Sequence, residues 1–255
     1  MRIITLLTDW HNDDYYKAIV KAKLLSQVSD VQFVDVTHKA EHYHISKAAF
    51  LLESAISQFP KGTIHFFGIQ TVSIDLSKVI VGKYNDQYVI ANDNGIFNVL
   101  NLRFDELISV NFEISNFPVA DCFVPIAIDI HKGKALTEIG ESISQTLKYN
   151  IVEAIFEDDK ITCPVSYIDS YGNLILKLRK EVFEKERKSR RFDIFINSFK
   201  YKTDKISEHY NLVPKTEIFA IFNSVGWLEI GMRMANISQI LSLSDKSSVI
   251  IKFYE

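Results

Sequence analysis

Cysteine, glycine and any dominant sign of charge are scarce in this sequence, and each scarcity removes a class of protein. The two cysteines among 255 residues, Cys122 and Cys163, stand far apart without metal-ligand spacing. That pattern excludes a disulfide scaffold and a thiolate metal site, and reads as buried thiols in a reducing, cytoplasmic setting. The nine glycines form neither Gly-x-x-x-x-Gly-Lys nor Gly-x-Gly-x-x-Gly, which argues against nucleoside triphosphates and ordinary dinucleotide dehydrogenases. Lys and Arg (29) nearly balance Asp and Glu (32), and both are spread along the chain. No nucleic-acid surface or membrane patch is therefore expected. The densest basic stretch, EKERKSRR at 184–191, alternates with acids, lacks aromatics and reads as solvated helix and loop. No apolar run approaches the roughly 20 residues of a membrane span, and MRIITLLTD meets an acid too early for a secretory leader.

What is present is globular: 47% hydrophobic and 24% charged residues, enough for one large core or two modest ones. RIITLLT (2–8), VQFVDVT (31–37) and TIHFFGI (63–69) are short apolar runs that read as strands. Between them, the segment from Asp13-Asp14 and ISKAAFLLESAISQF (45–59) carry apolar residues at helical intervals. This alternation predicts right-handed crossovers and a mostly parallel sheet. SKVIVGKYNDQYVIAND predicts a hairpin around Asn85-Asp86 joined to that sheet, and DCFVPIAIDIHKG (121–133) another helix. Near residue 150 the style changes to short strands separated by turns. The expected organisation is an α/β domain over 1–150 and an antiparallel, β-barrel-like domain over 151–255.

In such a sheet, ligands bind beyond the carboxyl ends of the strands. Asp9 follows the first strand, Asp35, Thr37 and His38 the second, and Ile69-Gln70-Thr71 the third. A carboxylate at that edge suits a ribose diol; its plain alternative is a helix cap, although Asn12 or Asp13 is better placed to cap. His38, His42 and His44 do not match a zinc pattern, and no metal is expected. ANDNGIF reads as a strand-to-helix turn at Asn94-Gly95. YIDSYGNLILKL holds Asp169, Tyr171 and Asn173 around a glycine, either a hairpin turn or a ligand-reading loop. In FNSVGWLEIGMRMANISQILSL, a turn, a strand and then a helix from about Ala235 offer backbone groups to a base edge.

Taken in order, these pieces resemble the SAM hydroxide adenosyltransferase family, which also contains the fluorinase and chlorinase. ITLLTDWHNDDYYKAIVKA is similar to its opening segment at Thr8, Asp9, Asp14, Tyr16 and Lys21, and VDVTHKAEHYHISKAAFLL to the next at Asp35, Thr37, His38, Ala48, Ala49 and Phe50. FPKGTIH, NDNGIF, DCFVPIA, IDSYGN and NSVGWLEIG follow in family order. The resemblance implies an α/β domain followed by a β-barrel domain. It also implies a homotrimer whose sites lie between one subunit's first domain and the next subunit's second. The implied reaction is displacement at the 5′ carbon of S-adenosylmethionine by hydroxide or halide, without a further cofactor. Asp9 would take the ribose hydroxyls beside Trp10, which stands where the family has Phe. Asp169 and Asn173 would hold the methionine end, with Tyr171 nearby. The turn after Trp227, through Met234 to Asn236, would meet adenine.

The departures fall on the chemistry. Where hydrolytic members have an Asp, an Arg and a His, this chain has Gln70, Ser77 and Pro118. Gln is no base and Pro has no side-chain donor. Asp75 and His11 are the stand-ins at hand, and nothing suggests a halide pocket. Two function classes follow: a hydrolase of S-adenosylmethionine, weakened or altered, and a non-catalytic protein that binds or senses adenosine or S-adenosylmethionine.

Overall fold

The computed structural model describes residues 1–11, 14–42, 44–71, 78–113 and 115–255. The chain forms two compact units, Met1–Asn150 and Ile151–Glu255.

In the first unit, β1 (Arg2–Thr8), α1 (Tyr16–Leu25), β2 (Val31–Thr37), α2 (Ile45–Ile56) and β3 (Ile64–Gly68) alternate as the apolar periodicity predicts. The hairpin β4 (Lys78–Tyr84) and β5 (Gln87–Asn92) follows, then α3 (Ile96–Val99) and β6 (Glu106–Asn111). A single π-helical turn, Val119–Phe123, leads into α4 (Val124–His131), and α5 (Leu136–Ile139) and β7 (Glu141–Ser142) complete the unit. The strand order is β2-β1-β3-β5-β4-β6-β7. β1 lies parallel to β2 and β3, and β3 to β5, whereas β4 runs antiparallel to β5 and β6, and β6 to β7. The expectation of a mostly parallel sheet with a hairpin joined to it is borne out in part: the sheet is mixed, with half its ladders antiparallel. The physical reason is the tight turn at Asn85 (φ 49°) and Asp86 (φ 59°). Two consecutive positive φ values reverse the chain with the twist of a hairpin, so β4 and β5 must pair antiparallel.

β2 is half exposed because it forms the sheet edge, while every residue of β3 is buried in the middle. α2 stops at Ile56, three residues short of the predicted Phe59, and α1 starts at Tyr16 rather than near Asp13-Asp14. Asn12 and Asp13, the proposed caps, lie outside the described residues. The core joins Ile4, Leu6, Phe66, Ile90 and Ile108 of the sheet to Val20 and Leu24 of α1 and to Phe123, Ala127 and Ile130.

Asn92 is among the positions that break the rule that buried polar groups are paired. Asn92, at the carboxyl end of β5 and 1% exposed, has no hydrogen-bonding partner for Oδ1 or Nδ2 among the described residues. An orphaned buried amide costs about 1–3 kcal/mol. Asn92→Leu, similar in shape and apolar, is expected to raise unfolding stability by about 2 kcal/mol. A lower urea midpoint for the variant would show that the amide has a partner in solution.

The second unit contains β8 (Ile155–Phe156), β9 (Lys160–Ile168), β10 (Leu174–Arg179), α6 (Lys180–Arg187), β11 (Arg191–Ile196), β12 (Ser198–Thr203), β13 (Ile218–Phe222), β14 (Trp227–Met232), α7 (Ile237–Ile240) and β15 (Ser248–Tyr254). Its strands run β12-β11-β15-β9-β10-β14-β13, all neighbours antiparallel. The end strands β12 and β13 meet, so the sheet is nearly closed and barrel-like. Phe183 of α6 plugs one side, ringed by Phe192, Phe222 and Phe253. Among the described residues no helix is long and apolar enough to cross a membrane.

Candidate functional site

Each unit carries one cluster of predicted site residues. In the first, the sheet delivers Thr8, Gly68 and Asn92 side by side to the carboxyl edge, since Thr8 pairs with Gly68 and Phe67 with Ala91. Asp9 follows at once. It caps no helix: α1 begins seven residues later and its N-cap, Tyr15, uses no side chain. Instead Asp9 Oδ2 accepts the backbone N–H of Gln70 at 3.1 Å, tying the exits of β1 and β3 together. Oδ1 takes no hydrogen bond from the described residues.

Trp10 covers the end of β3. A Cβ at Gly68 would come within 3.6 Å of the indole and 3.1–3.2 Å of Thr8 and Val119, so a larger residue there would crowd the ring. The indole stacks on His38 (6.3 Å, 10° between planes) and meets Phe117 edge-on at 5.4 Å, and Tyr16 lies 6.0 Å away. His38 is buried, with Nδ1 2.7 Å from Thr8 Oγ1 and Nε2 3.3 Å from the carboxylate of Asp35, which also accepts from Lys21 at 2.7 Å. Burial lowers the pKa of His38, against the opposing pull of Asp35. His38 is thus a neutral support for the aromatic wall, held by side chains from β1 and β2.

The positions that the family resemblance sets against the catalytic groups are placed unevenly. Gln70 takes a positive φ of 48° and is half buried. Pro118 is buried and caps the π-helical turn with no polar side-chain atom to offer. Ser77 and Asp75 lie outside the described residues. His11 (φ 62°) donates its backbone N–H to His38 O at 2.6 Å, and its Nε2 is 3.2 Å from His42 Nε2. His42 Nδ1 in turn is 3.7 Å from Asp9 Oδ2. An imidazole pair therefore borders Asp9, which the linear spacing did not announce. His44 points elsewhere, 3.3 Å from Glu41. Asn94 makes the predicted strand-to-helix turn: its Oδ1 accepts from Ile96 N–H, its Nδ2 donates to Ile69 O, and Gly95 takes φ 93°.

The second cluster lines a cavity of about 610 Å³ formed by Asp169, Tyr171, Asn173, Tyr210, Phe219, Glu229 and residues 232–236. Asp169 builds the β9–β10 turn, its Oδ1 accepting the backbone N–H groups of Tyr171 and Asn173. Gly172 (φ 83°) lets Asn236 lie over the turn, where a Cβ would stand 2.0 Å from Asn236 Oδ1. Asn236 itself caps α7, accepting from Gln239 N–H at 2.9 Å and from Ser238 Oγ at 2.8 Å. Asp169, Tyr171, Asn173, Met234 and Asn236 are brought together as one wall. Trp227 is not among them: it is buried, with the Arg179 guanidinium 3.5 Å over its ring.

Sequence reasoning missed Glu229, which is 5% exposed at the base of this cavity. Its signal was available: an acid in WLEIG, inside a strand whose neighbours are apolar on both sides. It also missed Tyr210 and Phe117, for which no linear signal existed.

Residues 4–140 match the model of the SAM hydroxide adenosyltransferase N-terminal domain, and residues 163–250 that of the C-terminal domain. The chain is 24% identical over 259 aligned positions to the (R)-S-adenosyl-L-methionine hydrolase of Methanocaldococcus jannaschii, covering 94% of this chain and 92% of that protein. Its fold is similar to a crystal structure of a conserved protein from Thermotoga maritima (TM-score 0.84, 22% identity, 99% and 100% of the two chains). A conserved protein from Thermus thermophilus is also similar (TM-score 0.75, 19% identity, 100% of both chains).

Proposed function

Since the chain belongs to the SAM hydroxide adenosyltransferase family, we propose that it binds S-adenosylmethionine and hydrolyses it to adenosine and L-methionine. Water attacks the 5′ carbon in line with the departing sulfur, the carbon–sulfur bond breaks, and the sulfonium leaves as a neutral thioether. One proton from the water is released. A cationic leaving group needs no acid to help it depart, so the protein's work is alignment and exclusion of bulk water. The observation that carries the reading is Asp9, fastened by Gln70 N–H at the carboxyl edge of β1 and taking no hydrogen bond at Oδ1 from the described residues, beside the wall of Trp10. In this role Asp9 accepts the ribose hydroxyls and Trp10 flanks the sugar. The cavity with Asp169 and Asn173 takes the other end of the ligand. The site is completed in a homotrimer, by a second subunit, as the family resemblance implies.

A second reading has its own support. Gln70 and Pro118 carry no acid or base, and the backbone N–H of Gln70 is already engaged by Asp9. A protein that keeps the grip and lacks the base would bind adenosine or S-adenosylmethionine without turnover. A positioned acid or base is worth roughly 10²–10⁴ in rate, so turnover is expected to be slow. Incubation with S-adenosylmethionine followed by chromatography is expected to show adenosine and methionine in equal amounts, above the no-protein rate. Tight binding with no adenosine formed would leave the sensing role in its place.

A further inference from the structure

Glu229 has no assigned role, yet three side-chain donors converge on it. Its Oε1 accepts from Asn173 Nδ2 and from the Tyr210 hydroxyl, each at 3.0 Å, and its Oε2 from Asn223 Nδ2 at 3.3 Å. Asn173 Nδ2 spends its other hydrogen on Asp169 Oδ2 at 3.2 Å. Both amide hydrogens of Asn173 thus point at carboxylates, and turning the amide over would set its oxygen against two negative charges. Its orientation is fixed by chemistry. Asn173 is 8% exposed, and its Oδ1 takes no hydrogen bond from the described residues. That oxygen sits over Gly231, where a Cβ would stand 2.2 Å away, and beside Phe219. Neither carboxylate has a Lys or Arg partner among the described residues. Arg233, the basic residue in the lining, donates to the carbonyls of Asn211 and Val213 instead.

We propose that Glu229 is a positioning residue. It locks the Asn173 amide so that the cavity presents a pure acceptor, backed by two carboxylates, to an N–H donor of the ligand. This inference rests on the reading of the cavity as part of an S-adenosylmethionine or adenosine site. The N–H chemistry has two sources in that ligand, the 6-amino group of the base and the ammonium of the methionine end. The ammonium has the added attraction of two carboxylates that have no Lys or Arg partner among the described residues. A ligand lacking the donor would leave Oδ1 buried and unpaired, which is the strong form of discrimination.

Two ligand pairs read the effect by calorimetry on the full chain. Adenosine against inosine exchanges a 6-amino donor for a 6-oxo acceptor. Methionine against its 2-hydroxy analogue exchanges an ammonium for a hydroxyl. In wild type, the amino member of one pair is expected to bind at least about tenfold more tightly, and that pair identifies the group at Oδ1. In Glu229→Gln, whose amide can itself turn and release Asn173, that preference is expected to shrink at least about fivefold. A purely structural role would weaken both members alike and leave the ratio unchanged. An unchanged ratio in both pairs, in a variant with a cooperative thermal transition, overturns the inference alone. Should Glu229→Gln not fold, Tyr210→Phe removes one donor from the same carboxylate oxygen at a half-exposed residue and is judged by the same ratio. Wild-type protein that binds none of the four compounds, nor S-adenosylmethionine, overturns both this inference and the functional reading beneath it.

Discussion

Asp9→Ala is expected to weaken adenosine binding roughly 10²–10³-fold, because two hydrogen bonds from ribose hydroxyls to a carboxylate vanish together. Hydrogen bonds to a charged group contribute about 1.5–3 kcal/mol each when the alternative leaves a partner unsatisfied. The carboxylate also accepts the N–H of Gln70, so the Ala variant loosens the β3 exit as well as the grip. Asp9→Asn separates the two effects. Its amide oxygen can still accept from Gln70, while its NH₂ group replaces an acceptor by a donor on the ligand side. The Asn variant should keep the wild-type thermal midpoint and still lose at least about tenfold in affinity. A penalty for 2′-deoxyadenosine, expected in wild type, should disappear in it. Affinity within twofold of wild type for Asp9→Ala would remove Asp9 from the ribose and return it to a purely structural tie.

Acid is expected to cost this fold roughly 3 kcal/mol by pH 4 through one histidine. His65, in the fully buried β3, is 0% exposed, with Nδ1 2.8 Å from Thr5 Oγ1 and Nε2 2.8 Å from Gln87 Oε1. The neutral ring is satisfied at both nitrogens: Nε2–H donates to the Gln87 carbonyl and Nδ1 accepts from the Thr5 hydroxyl. Burial lowers its pKa from the usual 6.5 to about 4, against the weaker opposing effect of Gln87. The unfolded chain therefore binds a proton near pH 6.5 that the folded chain refuses until about pH 4. The stabilisation is complete above pH 6.5 and is lost as pH falls toward 4. Urea unfolding of wild type and His65→Gln at pH 7.5 and pH 4 isolates the contribution from that of the carboxylates. The variant should be less stable at neutral pH, yet lose roughly 3 kcal/mol less on acidification. Parallel pH profiles for the two proteins would mean that His65 titrates normally.

Much of the fold was legible because short-range physics sets it. β1 and β2 fall on the residues that the apolar runs mark, and the hairpin turns at Asn85-Asp86, where polar residues tolerate positive φ. The direction of pairing was less legible. A buried strand in the middle of a sheet reads the same whether its neighbour runs with it or against it, so beyond the expected hairpin the antiparallel ladders of β6 with β4 and β7 were not foreseen. The site divided in the same way. Asp9 and Asn173 sit at breaks in pattern, beside a strand end and a glycine turn. Glu229 was an acid in an apolar strand, a visible anomaly whose partners were not visible. Tyr210 and Asn223 reach it from separate loops, and Phe117 reaches Trp10 from beyond β6.

By itself the sequence determined the α/β half and the mainly antiparallel β half, the family, and a carboxylate at the first strand's exit, because each depends on local periodicity or on residues in fixed order. Only the tertiary structure decided what those groups face. It turned Asp9 toward Gln70, laid Trp10 over Gly68 against His38, and set both hydrogens of the Asn173 amide on acids. Hydrogen bonds and ring contacts are made at about 3–6 Å, between residues as far apart in the chain as Asp9 and Gln70, and no linear pattern encodes that proximity.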